Sequence, residues 1–224
     1  MSRISIYCDL RSKLGIARDQ GIRPTCLAFA ATDCHAASRN NLTSLSVEYI
    51  FYHAQSRAGH PPSVGASLTM MLDALREDGQ PIEADWPYLK ALPGDLAKWK
   101  PPRDVGAIYR ALGEKKGSGF DEIVRLLEAG VVPLVLMTIS DAFYTPNTDG
   151  VVRGKAGERP DPSRRHATIA VGHGRLAAER VVLLRNSWGL GWGLAGHAWL
   201  PESFVAPRLT GVAVLRGINN VSSH

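Results

Sequence analysis

A chain of 224 residues, 45% hydrophobic and 21% charged, is long enough to bury a sizeable core unaided and too evenly mixed to be a disordered tail. Its formal charge of +5 scatters 26 basic residues among 21 acidic ones with no aromatic-interleaved stripe, so nucleic acid is not an expected partner. The longest uncharged stretch near the middle, Ala129–Ser140, is short and holds Pro133, and Met1–Asp9 lacks an apolar signal core, so neither a membrane span nor Sec export is expected.

Thr25 to Arg39 is alanine-rich and apolar, which predicts a buried helix capped by Thr25 with Cys26 in its first turn. Leu45–Gln55 is a second helical candidate. Ser67–Asp78 sets Leu68, Met71, Leu72 and Leu75 at helical spacing and stops at Gly79. From Gln80 to Pro102 prolines recur and periodicity disappears, which predicts an irregular surface connection toward a second lobe. Ser118 and Asp121 resemble a capping box ahead of the stripe Phe120, Ile123, Val124 and Leu127, ending at Gly130. Strands are expected at Val131–Ile139, His166–Val171, Arg180–Leu184, His197–Leu200 and Val212–Leu215, and an extended segment at the N-terminus. Helices first and strands after give an α+β chain: one domain over 1–224, a helical lobe at roughly 10–110 and a β-rich lobe at roughly 111–215 joined by the N-terminal segment.

Three segments carry chemistry-bearing residues. Asp19-Gln20-Gly21-Ile22-Arg23-Pro24-Thr25-Cys26 places a thiol after a Gly/Pro loop and at a helix start, where the dipole favours thiolate. Taken alone, that segment does not separate a reactive thiol from an inert buried one. His166, in His-Ala-Thr-Ile-Ala-Val-Gly-His-Gly, and Asn186, in Asn-Ser-Trp-Gly-Leu-Gly-Trp-Gly, both fall at ends of predicted strands. Cys8 and Cys34 read as structural thiols, and His35, His53, His60, His173, His197 and His224 lack metal-ligand spacing, so neither a metal nor a cofactor is expected.

Together these segments resemble the papain-like cysteine peptidases. The matching positions are Gln20, Cys26, Ala28 and Phe29, then His166, Ala167, Val171, Gly172 and Gly174, then Asn186, Ser187, Trp188, Gly189, Trp192, Gly193 and Gly196. Asp9-Leu10-Arg11, Leu45-Ser46 and Trp86-Pro87-Tyr88 extend the likeness along the chain. The resemblance implies a two-lobed fold, a helical lobe and an antiparallel β-barrel-like lobe with an active-site cleft between them. It implies Cys26 as nucleophile, His166 as general base and acid, Asn186 orienting His166, and Gln20 in the oxyanion hole with the Cys26 amide. It also implies a peptide or protein substrate held by Gly65 and Ala66, an apolar pocket lined by Leu68, Met137 and Ala167, and contributions from Trp188 and Trp192, the latter equally readable as core.

Three positions depart from the family pattern. Arg23 stands where a disulfide-bonded cysteine is usual, which with three cysteines crowded into the first 34 residues points to a reducing, cytoplasmic setting or to delivery into one by a non-Sec route. Leu27 replaces the tryptophan after the nucleophile, and Ala66 the second glycine of the backbone-binding pair. The sequence starts where the mature family domain starts, so restraint is expected from a protein inhibitor or regulator in place of a prosegment, from restricted substrate choice, or from delivery into another cell as an effector. Two alternatives keep the same residues: a thioester-forming transpeptidase, deamidase or transglutaminase-type acyltransferase, and a catalytically silent peptide-binding module.

Overall fold

The computed structural model describes residues 4–222, the last four by backbone alone. The described residues form two compact units, one made of residues 4–19 with Lys115–Val214, the other of Gln20–Glu114 with residues 215–222.

The second of these is helical. Helix α1 spans Cys26–Ser38, α2 Val47–Ala58 and α3 Leu68–Glu77. Helix α1 buries residues on every side, from Leu27 to Ala37, because alanines let α2 and α3 approach it closely. Thr25 holds the N-cap position without capping: its hydroxyl lies 2.8 Å from the Tyr88 hydroxyl. Helix α2 is capped by Ser46, whose Oγ accepts from the Tyr49 amide, and stops at Gly59 in the left-handed conformation. Ser67 caps α3, where Met71, Ala74 and Leu75 are buried while Leu68 and Leu72 are half-buried.

Beyond α3 the chain is irregular, as expected, apart from a 3-10 turn at Leu96–Lys98. It does not simply skirt the surface. Trp86 and Trp99 are buried, and Gln80 enters a polar network in which its amide nitrogen donates to Thr32 Oγ1 and the Ser46 carbonyl. The amide oxygen of Gln80 accepts from His35 Nδ1 at 2.9 Å. Strand β2, Ile108–Lys116, was not expected from sequence; it pairs with β7, Leu209–Ser222.

The other unit is built on a sheet. Strand β1 is Ile4–Asp9, β3 Leu134–Thr138, β4 Arg165–Leu176, β5 Glu179–Arg185 and β6 His197–Pro201. The hydrogen-bonded path runs β7-β3-β4-β5-β6 with β1 on the second half of β4, and these strands pair antiparallel. The path has two ends, so the expected barrel-like lobe is an open sheet. Helix α4, Phe120–Glu128, lays Phe120, Ile123, Leu126 and Leu127 into the core against β4. Its N-cap is Gly119 with no side-chain bond, so the expected Ser118–Asp121 capping box does not form. Two one-turn helices complete the unit, α5 at Asp141–Tyr144 and α6 at Glu202–Val205.

Strand β4 outruns its predicted end at Val171 because Gly172 and Gly174 lie inside it. A Cβ at Gly172 would come 2.6 Å from the Cys8 carbonyl, and one at Gly174 would strike the Ser5 carbonyl. These glycines let β1 close onto β4. Among the described residues no helix is long and apolar enough to cross a membrane.

Candidate active site

Gln20 and Cys26 belong to the helical unit. The first hydrogen bond of α1 runs from the Phe29 amide to the Thr25 carbonyl (3.0 Å), which places Cys26 in the first turn at the positive end of the helix. Its residue is half-buried. Gln20 is 7% exposed, and its side-chain nitrogen donates to the Arg23 carbonyl at 2.8 Å. Tyr88 secures the loop from below: its hydroxyl donates to the Gln20 carbonyl (2.8 Å), so the Thr25 hydroxyl is the donor in the Thr25–Tyr88 bond. The Tyr88 ring meets Phe29 edge-on at 4.8 Å.

Arg23 is buried rather than solvated. Its guanidinium grips the Glu48 carboxylate in a fork, Nη1 to Oε2 at 2.6 Å and Nη2 to Oε1 at 2.9 Å. Among the described residues no disulfide joins Cys8, Cys26 or Cys34. Gly65 sits beside the same loop, where a Cβ would rest 3.8 Å from the Pro24 carbonyl, an ordinary contact. The turn carrying Gly65 and half-buried Ala66 is held by Gln55, whose amide nitrogen donates to the carbonyls of Pro61 and Val64.

His166 and Asn186 belong to the sheet unit. His166 is the second residue of β4, directly across from Met137, and Asn186 follows the last residue of β5. Their side chains meet, His166 Nε2 to Asn186 Oδ1 at 2.7 Å. The same oxygen accepts the Ser187 amide at 2.9 Å, which fixes which end of the Asn186 amide faces the ring. A carbonyl oxygen only accepts, so Nε2 carries the proton and the neutral ring keeps its lone pair on Nδ1. Burial pushes His166 down to about 4, against the opposing pull of the Asn186 bond, so the ring is a neutral base at pH 7.

Aromatic rings enclose this pair. Trp188, half-buried, lies 4.8 Å from the His166 ring and stacks on Tyr144 at 5.2 Å and 14°. Phe143 stands 5.6 Å from His166 and 5.5 Å from Trp188. An antiparallel bridge between Asp19 and Trp188, with the Gly189 amide on the Arg18 carbonyl, holds the tryptophan turn in place. The turn closes through the Asn186 amide on the Gly196 carbonyl, and passes through Gly193, whose φ of +55° and close approach to the His197 carbonyl exclude a side chain.

The remaining binding candidates separate. Met137 shares a sheet face with His166 and is buried in the core, whereas Ala167 points to the opposite face with half-buried Leu136, so Met137 and Ala167 do not line one pocket. Trp192 is a core residue, 5% exposed, with its indole nitrogen donating to the Phe143 carbonyl. Sequence reasoning missed the parts played by Phe143, Tyr144, Tyr88 and Glu48. Of these Glu48 left a trace, an acid between Val47 and Ile50 on a helix whose neighbours are apolar. Among the described residues no group of three His, Cys, Asp or Glu side chains is arranged to hold a metal.

Residues 5–204 match the family described as papain family cysteine protease. A cysteine protease of Blomia tropicalis is 25% identical over 202 residues, covering 85% of this chain and 58% of the relative. Cysteine proteinase 3 of Entamoeba histolytica is 28% identical over 199 residues, covering 84% and 60%. The chain thus spans about three fifths of the length of these relatives. In fold it is similar to xylellain, a cysteine protease from Xylella fastidiosa (TM-score 0.77, 18% identity, 97% of this chain and 88% of that one). It is also similar to digestive procathepsin L 3 of the Tenebrio molitor larval midgut (TM-score 0.73, 18% identity, 96% and 70%).

Proposed function

The chain belongs to the papain family of cysteine proteases, and from that premise we propose that it is an endopeptidase cleaving peptide bonds through a thioester on Cys26. The observation that carries the reading is the His166–Asn186 pair, whose geometry leaves a neutral imidazole with its lone pair on Nδ1. In the proposed cycle Nδ1 takes the Cys26 thiol proton and the sulfur attacks the scissile carbonyl carbon. The oxyanion accepts from the Gln20 amide and the Cys26 backbone N–H. Collapse expels the amine, which takes the proton from Nδ1; water, deprotonated by the same nitrogen, then splits the thioester to a carboxylate and restores the thiol. Trp188 and Phe143 limit water around the His166–Asn186 bond. Arg23 standing where the family's pairing cysteine is usual supports a setting in a reducing compartment.

The test is product analysis by mass spectrometry after incubation of a peptide mixture with wild-type protein and with Cys26→Ala. The reading requires pairs of fragments whose masses sum to the parent peptide plus one water, absent with the variant. Products joined to an added amine would place the chain among acyltransferases, and an intact mixture would leave a peptide-binding module.

A further inference from the structure

We propose that Arg23 and Glu48 are positioning residues that hold the oxyanion-binding amide of Gln20 through a buried ionic clamp on the loop preceding Cys26. The proposal rests on the endopeptidase reading above. Both side chains are removed from water, 4% and 0% exposed. The Glu48 carboxylate has four donors: Arg23 Nη1 (2.6 Å) and the Leu89 amide (3.0 Å) on Oε2, Arg23 Nη2 (2.9 Å) and the Trp99 indole (2.6 Å) on Oε1. Arg23 Nη1 also donates to the Leu89 carbonyl at 2.5 Å, and the guanidinium lies 5.1 Å from the Tyr88 ring centroid.

Apolar residues of similar volume would fill this space at less desolvation cost. What a forked guanidinium–carboxylate pair adds is direction, since two parallel bonds fix the plane of the arginine. That direction is passed to the loop. The Arg23 carbonyl accepts both the Gln20 side-chain amide and the Thr25 backbone amide at 2.8 Å each, so turning the Arg23 peptide tilts the Gln20 donor and the residue before Cys26 together. Tyr88 fixes the other end of the loop through the Gln20 carbonyl. The clamp therefore ties α2 and the Leu89–Trp99 segment to the one side chain that must aim an N–H at a developing oxyanion, where small misplacement is costly.

The test compares Glu48→Gln and Arg23→Lys with wild type in two reactions. One is turnover of a peptide amide, which builds an oxyanion; the other is alkylation of Cys26 by iodoacetamide, which displaces iodide and needs no oxyanion hole. Expected are a fall in kcat of about tenfold or more with KM within about threefold, and an alkylation rate within about twofold of wild type. In a Gln20→Ala background, Glu48→Gln is expected to lower kcat by less than about twofold, because the amide it positions is gone. Multiplicative losses in that background, or alkylation falling in step with hydrolysis, would overturn the proposal. Should Glu48→Gln fail to fold, Arg23→Lys and Tyr88→Phe carry the same comparison. Wild-type protein that alkylates but cleaves no peptide would overturn the endopeptidase reading, and the clamp's role with it; cleavage by wild type with multiplicative losses overturns the clamp alone.

Discussion

Lowering the pH from 7 to 5 is expected to remove about 4 kcal/mol of stability through two histidines. His35 and His166 are both pushed from 6.5 to about 4, chiefly by burial. His35 donates from Nδ1 to the fixed Gln80 oxygen, and burial outweighs the opposing pull of Gln80 and of the Arg110 backbone, so it too is held neutral. In the unfolded chain each ring protonates near 6.5. Between about 4 and 6.5 the unfolded state binds more protons, so stability rises with pH across that window: it is fully present above 6.5 and lost as pH falls toward 4. At pH 5 the difference amounts to about 2 kcal/mol per histidine relative to pH 7. His197, also lowered mainly by burial, acts in the same direction. The depressed carboxylates Asp78, Asp149 and Glu158 contribute mostly below pH 5, since unfolded carboxylates protonate near 4. Urea unfolding of Cys26→Ala at the two pH values measures the loss, and in a His35→Gln background it is expected to be about half as large. Stability that does not change between pH 7 and 5, or a pH dependence untouched by His35→Gln, would refute the argument.

Asn186→Ala removes the acceptor of His166 Nε2 and frees the tautomer, so kcat is expected to fall by roughly 10²-fold with little change in KM, measured by steady-state kinetics. In Cys26→Ala as in wild type the His166 ring is expected to titrate near 4 by NMR, because burial sets its value. Gly174→Ala sets a methyl against the Ser5 carbonyl and is expected to cost about 1–3 kcal/mol, seen as a thermal midpoint lowered by roughly 2–4 °C per kcal/mol, with kcat unchanged.

Periodicity and composition located α1 to α4, and the strands around His166 and Asn186, since these depend on local apolar spacing. The failures have separate physical causes. Strands β4 and β5 join through Ala177-Ala178, with Ala177 at φ +52°, a hairpin turn without the usual Asn or Gly. Gly172 and Gly174 look like strand terminators, yet they serve a neighbouring strand far away in sequence. Strand β2 carries Arg110, Glu114, Lys115 and Lys116, so its alternation is masked by charge. Ser118 has capping chemistry, but the helix starts one residue too late for its side chain to reach. At the site, Cys26, His166 and Asn186 stand in recognisable motifs, and local pattern placed them at a helix start and at strand ends. The Arg23–Glu48 clamp was not, because its partners come from residues 23, 48, 89 and 99, and only folding joins them.

The proposed peptidase chemistry requires Cys26 to be a nucleophile in its own right. Wild-type protein and Cys26→Ala are treated with a thiol-directed epoxide across pH 4 to 9 and read by intact mass. One adduct per wild-type chain is expected, on Cys26, persisting well below the ordinary thiol value of about 8.5. Cys8 and Cys34, whose thiols burial pushes upward, remain unlabelled. Labelling that appears only above that value, or that spreads over Cys8 and Cys34, would contradict that chemistry.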